Sequence, residues 1–276
     1  MKKRLLMLLT SLAMVAALTA CGGKETEEEV TVQIEEAEVE TEEVVEEKPV
    51  IEDVIPEGFY RSELTNEIIS EELKDQRPIA VMVDNESIAL PHYGLTQADV
   101  VYELMNSTKN DEITRFMCLV KDWDAITQFG SVRSLRPTNI LLANEWNAII
   151  CHDGGPYHND AYLKLPATDN ISGYFGRVNN GKPREFTEYI LTGEIAKYTE
   201  RLGIETTYTE HYEGPHYKFA IEADQQNLEE IYPDFAKSAV YIDLPFGHNG
   251  SELKYNEEDG LYYYSEYGKA HLDPQN

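Results

Sequence analysis

The chain has 276 residues, of which 51 are acidic and 23 basic, and its formal net charge is −28. Residues 1–23 contribute +3 and residues 24–57 contribute −13, which leaves −18 on residues 58–276. A body that acidic repels phosphodiester backbones, and no basic stripe is interleaved with aromatic residues, so nucleic acid is excluded as a partner.

The first segment, "MKKRLLMLLTSLAMVAALTACGG", has a basic start (Lys2, Lys3, Arg4), an apolar run and small residues before Cys21. This is the pattern of an export signal, and a run of about 15 apolar residues is short of the ~20 a spanning helix needs. The tetrapeptide "LTAC" looks like a bacterial lipobox, which predicts a lipoprotein signal over 1–20 and lipidation of Cys21. Two acyl chains on one cysteine are sufficient for stable anchoring. The expected location is therefore the outer, extracytoplasmic face of the cell membrane, with the lipid anchor as the membrane contact. Residues 24–57 hold 15 Asp/Glu, two Lys and no aromatic. Such a segment repels itself and lacks apolar surface to bury, so residues 21–57 are expected to be a solvated tether.

The body then alternates between element types. "LTNEIISEELKDQ", 64–76, has loosely helical spacing. "RPIAVMVDN" (77–85), "ADVVYELM" (98–105) and "ITRFMCLV" (113–120) are near-continuous apolar runs, as in strands covered on both faces. "PTNILLANEW", 137–146, reads as a helix with Pro137 at its first position. "NAIICHD", 147–153, is another buried strand, stopped by Gly154-Gly155-Pro156. Helical spacing returns around 184–202, and "AVYIDL" and "LYYYSEY" read as strands. Buried strands mixed with helices predict an α/β body: a mixed sheet with flanking helices, then a smaller β-rich C-terminal part. The expected divisions are 58–205 and 206–276.

Four motifs in chain order, "RPIAVMVDN", "GLTQADVVYE", "ITRF" with "GSVRSLRP", and "HDGG", together resemble the YerB-like lipoprotein family, a domain of unknown function. The resemblance covers 62–276 and is densest over 77–156. It implies an exported, lipid-anchored protein without an established activity. Family members show a Pro-His-Asn type motif after the double glycine, whereas this chain has "KPREFTEYILTG", so no role passes to a histidine there. The family also implies further β-rich sequence beyond "YYYSEYGKAHLD", which leaves truncation at Asn276 open.

Candidate chemistry centres on Arg133 and Arg136, three apart at a glycine-led turn before a helix. Helix N-terminal N–H groups and two guanidinium groups suit phosphate or carboxylate. In so acidic a chain the competing role is an internal clamp, with Asp84 and Glu103 as partners. Arg115 lies near a strand start, and Asp84, Arg115, Arg133, Arg136 and His152 form the candidate ligand-binding set. Three functions follow: binding of an anionic or polymeric envelope ligand, envelope protein or glycan docking through the tyrosines, and phosphotransfer. In the last, Asp84, Asp99, Arg133 and Arg136 loosely resemble the LytR-CpsA-Psr glycopolymer transferases, which act on lipid-linked substrates with a metal. Whether the chain is an enzyme stays open. No cofactor is expected, and "HDGGPYH" lacks the spacing of a metal site. Cys118 and Cys151 read as core thiols, a disulfide between them staying open. Cys151 and His152 fall on opposite faces of a strand, which argues against a nucleophile–base pair.

Overall fold

The computed structural model describes residues 54–109, 112–220 and 225–276. The signal segment, Cys21 and all but the end of the acidic tether lie outside the described residues. The body begins with an antiparallel pair, β1 (Phe59–Arg61) and β2 (Ile68–Ser70), followed by one 3-10 turn over Glu71–Leu73. This corrects the helix expected across 64–76. Asn66 takes a left-handed φ of 64°, which breaks a helix, and the Ser70 hydroxyl accepts from the Glu72 N–H, so only a short turn starts there.

The next elements are β3 (Ile79–Asp84), β4 (Val100–Met105), β5 (Thr114–Val120) and β6 (Gln128–Gly130). They are followed by α1 (Pro137–Glu145), β7 (Ile149–His152), α2 (Asn159–Tyr162), β8 (Asp169–Ser172), β9 (Gly176–Arg177), β10 (Glu188–Leu191) and α3 (Glu194–Leu202). Five strands form a mixed sheet in the order β4-β5-β3-β7-β8, antiparallel across β4, β5 and β3 and parallel across β3, β7 and β8. β3 and β5 are buried at every residue, as their unbroken apolar runs predict. β4 departs from its prediction: it is the sheet edge, and Val101 and Met105 stand open to solvent.

Both faces of the sheet are covered. On one, Leu135, Ile140, Ala143 and Trp146 from α1 and its flanks pack over Ala80, Met82, Met117, Leu119 and Ile150. On the other, Phe129, Ile190, Ile195 and Tyr198 cover Val81, Val83, Cys118 and Cys151. Each fully buried Val, Leu, Ile, Phe or Met among them contributes about 1.5–3 kcal/mol. The second layer includes the three-stranded sheet β6-β10-β9. β10 also corrects the helical reading of 184–202, whose first half is a 3-10 turn and a strand, with only Glu194–Leu202 forming an α-helix.

α1 shows how local chemistry places its neighbours. Pro137 opens it, and the Asn139 side-chain carbonyl accepts from the Arg136 N–H at 3.0 Å. It ends in a Schellman arrangement, with Asn147 at φ 51° and the Ala148 N–H donating to the Ala143 carbonyl at 3.0 Å. That reversal feeds the chain directly into β7. Val81 pairs with Cys118 on one side and Cys151 on the other, so the two thiols sit two strand spacings apart, about 9–10 Å. A disulfide needs Cα atoms within about 7 Å. Both cysteines are free and fully buried.

The C-terminal part holds α4 (Leu228–Ile231) and an antiparallel meander of β11 (Tyr241–Asp243), β12 (Glu252–Asn256), β13 (Leu261–Glu266) and β14 (Lys269–Ala270). It joins the mixed sheet through Glu103 on β4, whose carboxylate accepts from Asn249 at 2.7 Å, Ser251 at 3.1 Å and Tyr264 at 3.1 Å. A mixed sheet with flanking helices followed by a smaller β-rich part is the predicted fold class. Among the described residues no helix is long and apolar enough to cross a membrane.

Candidate functional site

β3, β7 and β8 run parallel, so their carboxyl ends, at Asp84, His152 and Ser172, share one edge of the sheet. In open sheets with parallel strands, ligands settle in the crevice at this edge. Here the chain fills the crevice itself. The pairing of β3 with β7 stops at Val81 and Cys151. Beyond that point residues 131–135 run between the strands. The Ser131 carbonyl accepts from Asp84 N–H at 3.0 Å, and the Arg133 N–H donates to the Met82 carbonyl at 2.8 Å. On the other side, the Asp153 N–H donates to the Arg133 carbonyl at 2.9 Å and the Leu135 N–H to the Gly154 carbonyl at 3.0 Å. Gly130 starts this insertion at φ 139°, where an added Cβ would stand 2.8 Å from the Val132 nitrogen.

The insertion carries the arginines to the end of β3. Asp84 is fully buried, and its carboxylate accepts from Arg133 Nε at 2.7 Å, with Arg115 Nη2 at 3.7 Å. Arg115 comes from the directly opposite register position on β5 and also donates to the carbonyl and hydroxyl of Ser134, both at 2.8 Å. Burial pulls the Arg115 guanidinium down to about 10, against the opposing charge of Asp84. Burial alone would lower Arg133 as well, but its hydrogen bond to Asp84 and that carboxylate's charge more than reverse this, and its pKa is raised. Arg133 also reaches the exposed Glu185 at 2.9 Å and lies over the Phe186 ring at 5.2 Å. Asp84, Arg115 and Arg133 are thus brought together as a closed cluster.

Arg136 and His152 are placed differently. Arg136 is half-buried and donates to two backbone carbonyls, Asn106 at 3.2 Å and Leu135 at 2.9 Å. Among the described residues no carboxylate is in ion-pair range of it. Burial, and then the charge of Arg133, lower its pKa. His152 ends β7 and is spent on local contacts, Nδ1 with the Gly154 carbonyl at 2.8 Å and Nε2 with the Asn170 side chain at 3.3 Å. Its burial lowers its pKa. Glu103, the second expected acid, meets no arginine among the described residues and takes Thr114 at 2.8 Å and Asn85 at 3.3 Å beside its C-terminal contacts. Asp99 is far from Asp84. Val100 pairs with Leu119, so Asp99 is level with Ile79, about five residues (~16 Å) along the sheet from Asp84 and two strands over.

Sequence reasoning missed a second charged cluster at the same edge. Arg177 pairs with Asp153 at 3.0 Å and with Glu188. Glu188 is fully buried, and one of its carboxylate oxygens has no hydrogen-bond partner. Burial, then the neighbouring Asp153 carboxylate, push its carboxyl up to about 7. Asp153 lies within the "HDGG" motif. Glu188 was hidden because a helical reading of its segment does not set Glu188 and Ile190 on one strand face.

Residues 64–205, just over half of the chain, match the family described as "Protein of unknown function (DUF3048) N-terminal domain". The chain belongs to this family. A protein of Bacillus subtilis (strain 168) that is named as a lipoprotein, YerB, is 29% identical over 159 residues, which cover 55% of this chain and 46% of that protein. The chain therefore spans about half the length of the curated relative it matches. The crystal structure of the YerB protein from Bacillus subtilis aligns with a TM-score of 0.62 at 24% identity, over 78% of this chain and 70% of that one. That likeness shows the shared fold, and the YerB-like assignment drawn from the motifs holds.

Proposed function

We propose that this DUF3048 protein is a lipoprotein held at the extracytoplasmic face of the membrane through Cys21, and that its body binds an anionic envelope ligand beside Arg136. The lipobox, the acidic tether and the name of the Bacillus subtilis relative support the anchor. One observation carries the binding role. In a body of net charge −18, Arg136 is a half-buried cation without a carboxylate in reach among the described residues, three positions from Arg133 at the start of α1. An uncompensated guanidinium in that setting suits a phosphate or carboxylate brought in by a ligand. Screening confines fields between exposed groups to roughly 8 Å, so the surrounding acidity does not cancel it.

The phosphotransferase alternative has less support. Its metal would require Asp84 and Asp99 together, yet they lie about five residues apart along the sheet and two strands over, more than ~16 Å, and Asp84 is already neutralised by Arg133 and Arg115. The test is calorimetric titration with pyrophosphate of wild type and Arg136→Ala. Saturable wild-type binding that weakens at least about tenfold in a folded variant, about 1.4 kcal/mol, supports the reading. Equal binding by both, or none by wild type, ends it.

A further inference from the structure

We propose that His92, Glu266 and His271 form a binding site for a zinc-class divalent cation, between the end of β3 and the C-terminal meander. Their ligand atoms all lie within 4.8 Å of one another, and no other such trio occurs among the described residues. His92 Nδ1 is 2.7 Å from His271 Nε2, and His271 Nε2 is 3.7 Å from Glu266 Oε1. A tetrahedral zinc ion with bonds of about 2.0–2.2 Å would space such donors roughly 3.3 Å apart, so side-chain shifts of about 1–1.5 Å or less seat the ion.

Three features separate this trio from a chance meeting of side chains. His92 is fully buried, and its other nitrogen, Nε2, stands 2.6 Å from the Asp84 carbonyl. A carbonyl only accepts, so Nε2 carries the proton and the Nδ1 lone pair faces the trio. Metal-ligating histidines are held in this way, by a carbonyl on the far nitrogen. Glu266 is 1% exposed, and its Oε1 has no hydrogen-bond partner, while Oε2 accepts from Asn249 at 3.1 Å and lies 3.3 Å from the Tyr264 hydroxyl oxygen. A buried carboxylate with one oxygen oriented and the other bare is costly unless a cation or proton meets it. Finally, the site is reachable. His271 lines a cavity of about 350 Å³ on the β4 side and another of about 400 Å³ on the β14 side, and Glu266 lines the second. Two histidines and one carboxylate leave a fourth position for water or a ligand atom, and imidazole donors select zinc, cobalt or nickel over magnesium or calcium. Sequence spacing conceals the site, because the donors stand at 92, 266 and 271.

The test uses the full chain, stripped of metal with a chelator and titrated with Zn²⁺ by calorimetry and with Co²⁺ by visible absorption. Expected are one saturable site, a cobalt spectrum of tetrahedral nitrogen–oxygen ligation, and a thermal midpoint that rises with zinc concentration. Glu266→Gln keeps the shape and removes the charge, and His271→Ala alters a partly exposed side chain, so folding is preserved in at least one of them. Each is expected to weaken zinc binding by about 100-fold or more, on the scale of metal-site losses. No saturable binding by wild type overturns the proposal. So does unchanged affinity in both variants, which would assign any bound zinc to the exposed histidines.

Discussion

Replacing Asp84 by Asn tests whether the arginines at the sheet edge are clamps or receptors. Asparagine keeps the volume and an accepting oxygen, so what is lost is the charge that two guanidinium groups share. At the effective dielectric of about 20 suited to such sites, a charge pair at the 2.7 Å of Arg133 is worth ~6 kcal/mol gross, and one at the 3.7 Å of Arg115 ~4–5 kcal/mol. Desolvation offsets most of this. The observed cost of breaking one partner of a buried pair is about 3–5 kcal/mol, because the remaining charge is stranded. Arg115 would be the stranded group, being 6% exposed and already short of a partner at Nε. A loss of that size is a large share of the ~5–15 kcal/mol that holds a domain. Urea denaturation is the assay, read as a fall in midpoint at unchanged slope. Arg133→Met should cost less, since Arg115 still faces Asp84, and the double variant should show coupling of about 0.5–3 kcal/mol. A cost below ~1 kcal/mol for Asp84→Asn, with additive effects in the double variant, would refute the clamp and return Arg133 to the pool of free cations.

Four further outcomes are expected. Glu188 has its carboxyl raised from 4.5 to about 7, so the native state holds a proton that the unfolded state has released, and this contribution to stability is lost as pH rises through that window. Glu188→Gln should therefore gain on wild type steadily from about pH 4.5 to 7 in thermal melts, and a pH-independent difference would contradict it. Gly130→Ala should cost at least ~1–3 kcal/mol in urea denaturation, because φ 139° and the 2.8 Å approach to Val132 nitrogen exclude a Cβ, and a neutral result would mean the insertion is not built as described. Cys118 and Cys151, fully buried and with pKa values pushed up by that burial, should resist a thiol reagent in the native state and react together on unfolding; early reaction of either would show a looser core. Mass spectrometry of the mature chain should find a diacylglyceryl-modified Cys21 at its N-terminus, and a different cut site would remove the anchor.

The strands of the mixed sheet were legible where burial on both faces leaves an unbroken apolar run, as in β3, β5 and β7. Short strands were not. β6, β8 and β9 are two to four residues long, too short for a period to show, and β6 pairs with β10 about 60 residues on. The stretch 184–202 misled for a related reason. Ile190, Ile195 and Tyr198 do share one core cluster, but they reach it through a strand and a helix, and Phe186 sits apart in a 3-10 turn under Arg133. Of the candidate site, the approach of Asp84, Arg115 and Arg133 could be read from strand ends. The His92–Glu266–His271 trio could not, because it depends on how the C-terminal meander lies against the end of β3.

The net charge gives the arginines a common role. Excess like charge works against a compact state, and a body at −18 has few cations to spare. Several of them are placed where one cation can hold more than one distant segment. Arg77 is fully buried and reaches Asp169 and the carbonyls of Asn147 and Glu205. Arg133 links Asp84 to Glu185, and Arg177 links Asp153 to Glu188. Each connects the mixed sheet to a layer or loop that packs on it, so acids that would repel in isolation become attachment points. Among the described residues, Arg136 and Lys182 depart from this pattern, since each donates to two backbone carbonyls and neither pairs with a carboxylate. Each still ties its own segment to a distant one, Arg136 to Asn106 and Lys182 to Ala89 and Leu90, so backbone carbonyls take the place that acids hold elsewhere.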